Sequence, residues 1–170
     1  MIRILGGLLV CVSTMLLGVY MGGAGTRRAK DLMEFKKSLI LLKSQIDFAI
    51  YTLPQAFYHI SERAQPHFAQ LYAKMAAELE EGQNDAASVW VRGMESLKDS
   101  NLSKDDLANF SILGTSLGHI DAEVQINSID MVIAGIDDSL KQLMADNPKN
   151  VKMYRGLGVV SGLLITIVLL

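Results

Sequence analysis

A single cysteine, Cys11, rules out an internal disulfide or a thiolate metal site in this 170-residue chain. The three histidines, His59, His67 and His119, are spaced 8 and 52 residues apart. They form no HExxH or comparable ligand pair and read as surface or partly buried polar residues. No glycine-rich phosphate loop is present, which excludes nucleotide hydrolysis of the P-loop kind. No convincing strand, repeat or low-complexity linker is visible in residues 26–150. Charge is missing from both ends. Between Ile4 and Gly25 only Cys11 and Tyr20 are ionisable, and Gly156 to Leu170 carries no charge.

What is present is apolar bulk: 50% of residues are hydrophobic and only 20% charged. The excess lies in the two terminal runs. As a helix, residues 4–25 would measure about 33 Å, enough for a bilayer core of about 30 Å. Counted from Val151, the second run reaches about 30 Å, with Lys152 and Arg155 snorkelling to the interface. The expected domains are therefore a span over 1–25, a soluble domain over 26–150 and a second span over 151–170. A cleaved signal peptide is the alternative for the first run, with the small residues Gly22 and Ala24 at the cleavage positions. A basic leader consisting of Arg3 alone, and Arg27, Arg28 and Lys30 directly after the run, favour a retained anchor. A lipoprotein signal at "LLVC" is disfavoured by the bulk of Val10.

Charge sets the expected orientation. Arg27, Arg28, Lys30, Lys36, Lys37 and Lys43 follow the first run, and Lys149, Lys152 and Arg155 precede the second. Residues 44–148 hold only six basic residues against sixteen acidic ones. The positive-inside rule puts this domain in the cytoplasm, with both termini outside. Its acidic body disfavours nucleic acid and suits a basic protein partner.

The soluble domain reads as six helices. Leu32, Phe35, Leu39, Leu42, Ile46, Ala49 and Leu53 alternate at spacings of three and four, the seam of a packed helix. Thr52, Pro54 and Gln55 open a second helix that carries Phe57 and Ile60. A third runs from about Pro66 to Glu81 and stops at Gly82. Asn84 or Asp85 caps a fourth, with Val89, Trp90, Met94 and Leu97 inward. Ser103 to Asp106 caps a fifth, with Leu107, Phe110, Leu113 and Leu117 inward and Gly118 at its end. The last begins near Asp121 on the stripe Ile126, Ile129, Ile133, Ile136, Leu140 and Leu143. Val151, Tyr154 and Gly158 keep its phase, which predicts a kink at Pro148 and one long helix entering the membrane.

Few residues invite chemistry. Gly114, Ser116 and Gly118 match G-x-S-x-G, which works in hydrolases because the serine sits on a strained strand-to-helix turn. A helical stripe precedes it here, so close packing and a helix stop explain the glycines better, and a serine hydrolase using Ser116 is the remote alternative. Asp137 and Asp138 are adjacent on a helix, point in different directions and read as a solvated face, not a cation site. Gly18 with Gly22, and Gly158 with Gly162, form small-xxx-small faces at similar depth, where the two spans are expected to pack. Glu78, Glu80, Glu81 and Asp85 gather around one turn as the candidate contact for a basic partner.

The stretch "LGTSLGHIDAEVQ" and the tail "NVKMYRGLGVVSGLLITIVLL" resemble the stage III sporulation protein AB family of endospore-forming bacteria. The most specific matches are Leu113, Gly114, Leu117, Gly118, Asp121 and Gln125, with Lys152, Gly156, Leu157, Gly158 and Gly162 in the tail. That family in turn resembles the cytoplasmic bundle of the type II secretion F protein and its type IV pilus relatives, inner-membrane platforms that usually carry two bundle copies and three spans. One copy with two spans makes a homo-oligomer plausible. The resemblance implies an all-α, six-helix cytoplasmic bundle flanked by transmembrane helices, non-enzymatic and without cofactors. It implies a place in the mother-cell membrane around the forespore, among the other subunits of the stage III sporulation A channel and its cytoplasmic ATPase. A platform subunit of an export or pilus machine unrelated to sporulation is the second reading.

Overall fold

The computed structural model describes residues 13, 16, 20, 22–48, 51–82, 84–117 and 121–169. Beyond residue 145 it describes the helical path, with side-chain exposure at positions 153, 156 and 160 alone. The described residues are helical, with no strand. They form α1 (Ala24–Asp47), α2 (Leu53–Ser61), α3 (Pro66–Glu80), α4 (Ala86–Ser96) and a 3-10 turn at Leu97–Asp99. Then follow α5 (Lys104–Ile112), α6 (Gly114–Leu117) and α7 (Ala122–Leu169). The chain divides into two compact units, residues Met1–Ala29 with Leu140–Leu170, and Lys30–Ser139.

The helix starts follow the local chemistry. The Gln55 side chain accepts from the Thr52 amide at 3.1 Å, and Pro54 fits the first turn, where its missing N–H costs nothing. Asp85, not Asn84, caps α4 by accepting from the Ser88 amide at 3.1 Å. Ser103 and Asp106 complete a reciprocal box at 2.8 and 3.1 Å. Gly82 takes a φ of 68°, the left-handed conformation that ends α3 without a Cβ clash.

The 30–139 unit is built around aromatic rings. Phe35 of α1 stacks on Phe110 of α5 with centroids 4.3 Å apart. It also meets Trp90 of α4 and Phe68 of α3, each at 6.1 Å. Phe57 of α2 bridges Trp90 at 6.0 Å and Tyr72 at 5.8 Å. Four of the five phenylalanines and the sole tryptophan are thus spent in one cluster, each almost fully buried. Leu32, Leu39 and Leu42 extend it along α1, and Ile129 and Ile136 close it from α7.

Three expectations need correction. The α1 seam stops at Asp47: Leu53 opens α2, and Ala49 lies outside the described residues. The fifth predicted helix is broken at Leu113 into α5 and α6. The Phe110 carbonyl there accepts both the Trp90 indole N–H at 2.7 Å and the Leu113 amide at 3.2 Å, which tightens the chain into a turn. Leu107 is only half-buried, while Asp106 is 4% exposed because the box turns it inward.

In the unit of Met1–Ala29 with Leu140–Leu170, the Arg27 guanidinium lies 4.4 Å from the Tyr20 ring centroid and donates to the Tyr20 carbonyl at 3.1 Å. The α7 helix passes through Pro148 and reaches Leu169. Among the described residues, no helix is long and apolar enough to cross a membrane. Most of the first apolar run, including Cys11 and Gly18, lies outside the described residues.

Candidate functional site

The motif at 113–125 forms a structural corner. Leu113 and Leu117 are buried, and Gly114 sits where a Cβ would lie 3.0 Å from Trp90 Cδ1 and 3.2 Å from the Ala87 carbonyl. The absent side chain lets α6 rest directly on α4. Asp121 then starts α7, its carboxylate accepting from the Glu123 amide at 2.9 Å. Leu117 and Gln125 line a cavity of about 410 Å³ with Tyr51, Thr52 and Gln55. The structure thus brings Leu117 and Gln125 to the start of α2, which their sequence positions do not reveal. Gly118 and His119 lie outside the described residues.

Ser116 is 6% exposed, and its hydroxyl donates to the Leu113 carbonyl at 2.9 Å. It occupies a helical turn, not a strand-to-helix elbow, and its proton is held by the backbone. His59 leans on the Tyr51 ring at 4.3 Å and lies 3.3 Å from Glu62; His67 stacks on Phe68 at 4.1 Å. Asp137 accepts from Lys36 at 2.5 Å, so it is engaged across the bundle and apart from Asp138. Among the described residues, no group of three or more His, Cys, Asp or Glu side chains could hold a metal ion.

The acidic turn divides by role. Glu78 binds Arg92 at 2.8 Å, bringing α3 and α4 together. Asp85 caps α4, and its bonds from the Ser88 hydroxyl and amide hold its carboxyl below the usual range. Glu80 and Glu81 remain exposed at the end of α3, beside Gly82. Asp85 is exposed as well, but its carboxylate is spent on the cap, whereas Glu80 and Glu81 project charge outward from the end of the helix.

Several structural residues escape sequence reasoning. Lys36 and Lys43 of α1 meet Asp137 and Asp130 of α7 at 2.5 and 2.6 Å. Each pair of like residues is seven apart and the order is reversed, so α1 and α7 run antiparallel. That matched heptad spacing of opposite charge was the available signal. On α1, Asp31 accepts from the Asn101 amide at 3.1 Å, and Glu34 accepts from the Gln65 amide at 3.1 Å. Acids next to the basic segment thereby satisfy loop amides. Tyr72 is fully buried beside Ser38, whose hydroxyl donates to the Glu34 carbonyl at 3.2 Å. Among the described residues the Tyr72 oxygen meets no group at hydrogen-bonding geometry, and burial raises the phenol pKa.

Against this geometry, the family described as Stage III sporulation protein AB matches residues 3–170. Stage III sporulation protein AB of Bacillus subtilis (strain 168) is 23% identical over 171 residues, covering 100% of both chains. A solved structure of stage III sporulation protein AB (SpoIIIAB) superposes with a TM-score of 0.67 at 18% identity. The superposition covers 71% of this chain and 96% of that one, a likeness of fold.

Proposed function

The chain belongs to the stage III sporulation protein AB family, and from that premise we propose that it is a non-enzymatic membrane scaffold within a multi-subunit sporulation complex. Both apolar extremities cross the mother-cell membrane around the forespore. The helical bundle stands in the mother-cell cytoplasm and organises neighbouring subunits, including a secretion-type ATPase. Gly18 and Gly22 pack against Gly158 and Gly162 within the bilayer.

The observation that carries this reading is the separation of charge along the chain. Basic residues crowd the stretches next to the two uncharged runs, and acid dominates between them. The residues that could suggest chemistry are engaged in local structure: Ser116 with a carbonyl, Asp85 with a helix start, Glu78 with Arg92. Glu80 and Glu81 are the charges left to engage a basic surface on the ATPase.

Topology tests the reading. A lone cysteine replaces Glu81 in a Cys11→Ser background, and intact vegetative cells that express the chain in the plasma membrane, before any forespore compartment exists, receive a maleimide that cannot enter them. Labelling is expected only after lysis. Labelling of intact cells places the bundle outside and defeats the proposal.

A further inference from the structure

Three glycines in the 30–139 unit stand in helices with measurable surroundings, and two have an internal explanation. At Gly93 a Cβ would meet Met75 Sδ at 2.7 Å, and at Gly114 it would meet Trp90 Cδ1 at 3.0 Å. At Gly135, in α7, nothing among the described residues lies within 4 Å of the position a Cβ would take. Glycine weakens an exposed helix relative to alanine, so intramolecular packing gives no reason for it there.

Gly135 lies in a cleft of about 400 Å³ between α5 and α7, with Phe110, Ile112 and Leu113 on one wall and Met131, Val132 and Ile136 on the other. Ile112 is 63% exposed and Met131 is 74% exposed, so large apolar groups meet solvent on both sides. Asp106, Asn109, Ser128 and Ser139 supply polar atoms at the edges. The stretch of chain that forms both walls is acid-rich. Residues 104–139 hold one basic residue, Lys104, against seven acidic ones. Even with Lys36 and Lys43 added, which bind Asp137 and Asp130, acid remains in excess.

We propose that the cleft between α5 and α7 receives an amphipathic helix from another protein, aliphatic on one face and flanked by lysine or arginine. The missing Cβ at Gly135 lets the incoming backbone approach α7, and Ile112 and Met131 cover its aliphatic side chains. The acidic excess selects a basic partner and disfavours a second copy, whose own cleft would bring like charge to the contact. This surface is distinct from Glu80 and Glu81, so the two docking ideas fail separately.

The test uses the full chain in phosphatidylcholine nanodiscs, which are zwitterionic and do not recruit basic peptides by charge. An environment-sensitive dye is attached at Asn109→Cys in a Cys11→Ser background. The probe is a helical leucine–lysine peptide of about 18 residues. Comparators are the same pattern with glutamate for lysine, and the same composition with the leucines scrambled. The leucine–lysine helix is expected to bind saturably and at least about tenfold tighter than either comparator. Gly135→Leu fills the approach and weakens binding by about tenfold or more. Ile112→Lys on the opposite wall does the same and serves if Gly135→Leu disturbs folding. No saturable binding, equal binding of all three peptides, or binding unchanged by both substitutions overturns the proposal. So does self-association that either substitution abolishes, since the occupant would then be a second copy.

Discussion

Adding one methyl group at each of three helical glycines should have three different outcomes. At Gly114 the new Cβ meets the Trp90 ring at 3.0 Å and the Ala87 carbonyl at 3.2 Å. Neither can yield readily. Trp90 is fully buried, its indole N–H is bonded to the Phe110 carbonyl at 2.7 Å, and Phe35 and Phe57 flank the ring. Overpacking of a tight core costs about 1–3 kcal/mol, against a helix-propensity gain of at most about 1 kcal/mol. Gly114→Ala should therefore lose about 1–2 kcal/mol, a fall in Tm of roughly 5–10 °C for a unit of this size. At Gly93 the nominal contact is closer, 2.7 Å, but it falls on Met75 Sδ in a flexible side chain that can change rotamer. Gly93→Ala should lose less than Gly114→Ala despite the shorter distance. Gly135→Ala meets nothing among the described residues and should gain up to about 1 kcal/mol. The assay is thermal or urea unfolding of the full chain in detergent, followed by emission of Trp90, the sole tryptophan and a core residue. A Gly114→Ala protein that melts at or above the wild-type temperature refutes the reasoning. A larger loss at Gly93 than at Gly114 refutes it equally.

Trp90→Phe removes the donor to the Phe110 carbonyl together with part of a ring, and should cost roughly 2 kcal/mol; urea unfolding by circular dichroism measures it, and an unchanged midpoint would separate the Leu113 turn from Trp90. Asp85 is held ionised by the Ser88 hydroxyl and amide, so its folded pKa lies below its unfolded one. Its contribution is complete above the ordinary carboxylate range and disappears as pH falls through the depressed value. Protection of the Ser88 and Val89 amides, taken relative to their intrinsic exchange rates, should fall on acidification in wild type and be low at every pH in Asp85→Ala. Converting Asp130 and Asp137 together to asparagine should lower Tm by a few degrees at low ionic strength, with each partly exposed pair worth about 0.2–1 kcal/mol. The loss should shrink at roughly 1 M salt, where screening reaches about 3 Å; a salt-independent loss would assign the effect to packing.

Helix starts were legible because they are written locally. Thr52 with Gln55, Asp85, Ser103 with Asp106, and Asp121 each bond within three residues of themselves. The inward faces of α1 and α4 were legible because their period repeats over several turns. The break at Leu113 was not, because its cause is an indole that arrives from 20 residues away in sequence. Gly114 was read as a packing residue, but the identity of its neighbour, Trp90, follows only from the tertiary fold. The acidic turn was legible as a cluster, whereas its division into a cap, a helix tie and two outward charges depends on Ser88 and Arg92. The cleft at Gly135 left no sequence signal, since an isolated glycine beside an apolar stripe looks the same whether a neighbour fills the space or leaves it open.

Among the described residues the buried oxygen of Tyr72, near the Ser38 hydroxyl and Glu34, has no partner at hydrogen-bonding geometry. A phenylalanine there would fill the same volume and shed the desolvation penalty of a stranded hydroxyl. The step from one ring to the other is a single atom, with no steric barrier in either direction. Relatives that carry phenylalanine at this position should therefore be among the hardier members of the lineage, and replacing Tyr72 is the first change to make when a more heat-tolerant version is wanted.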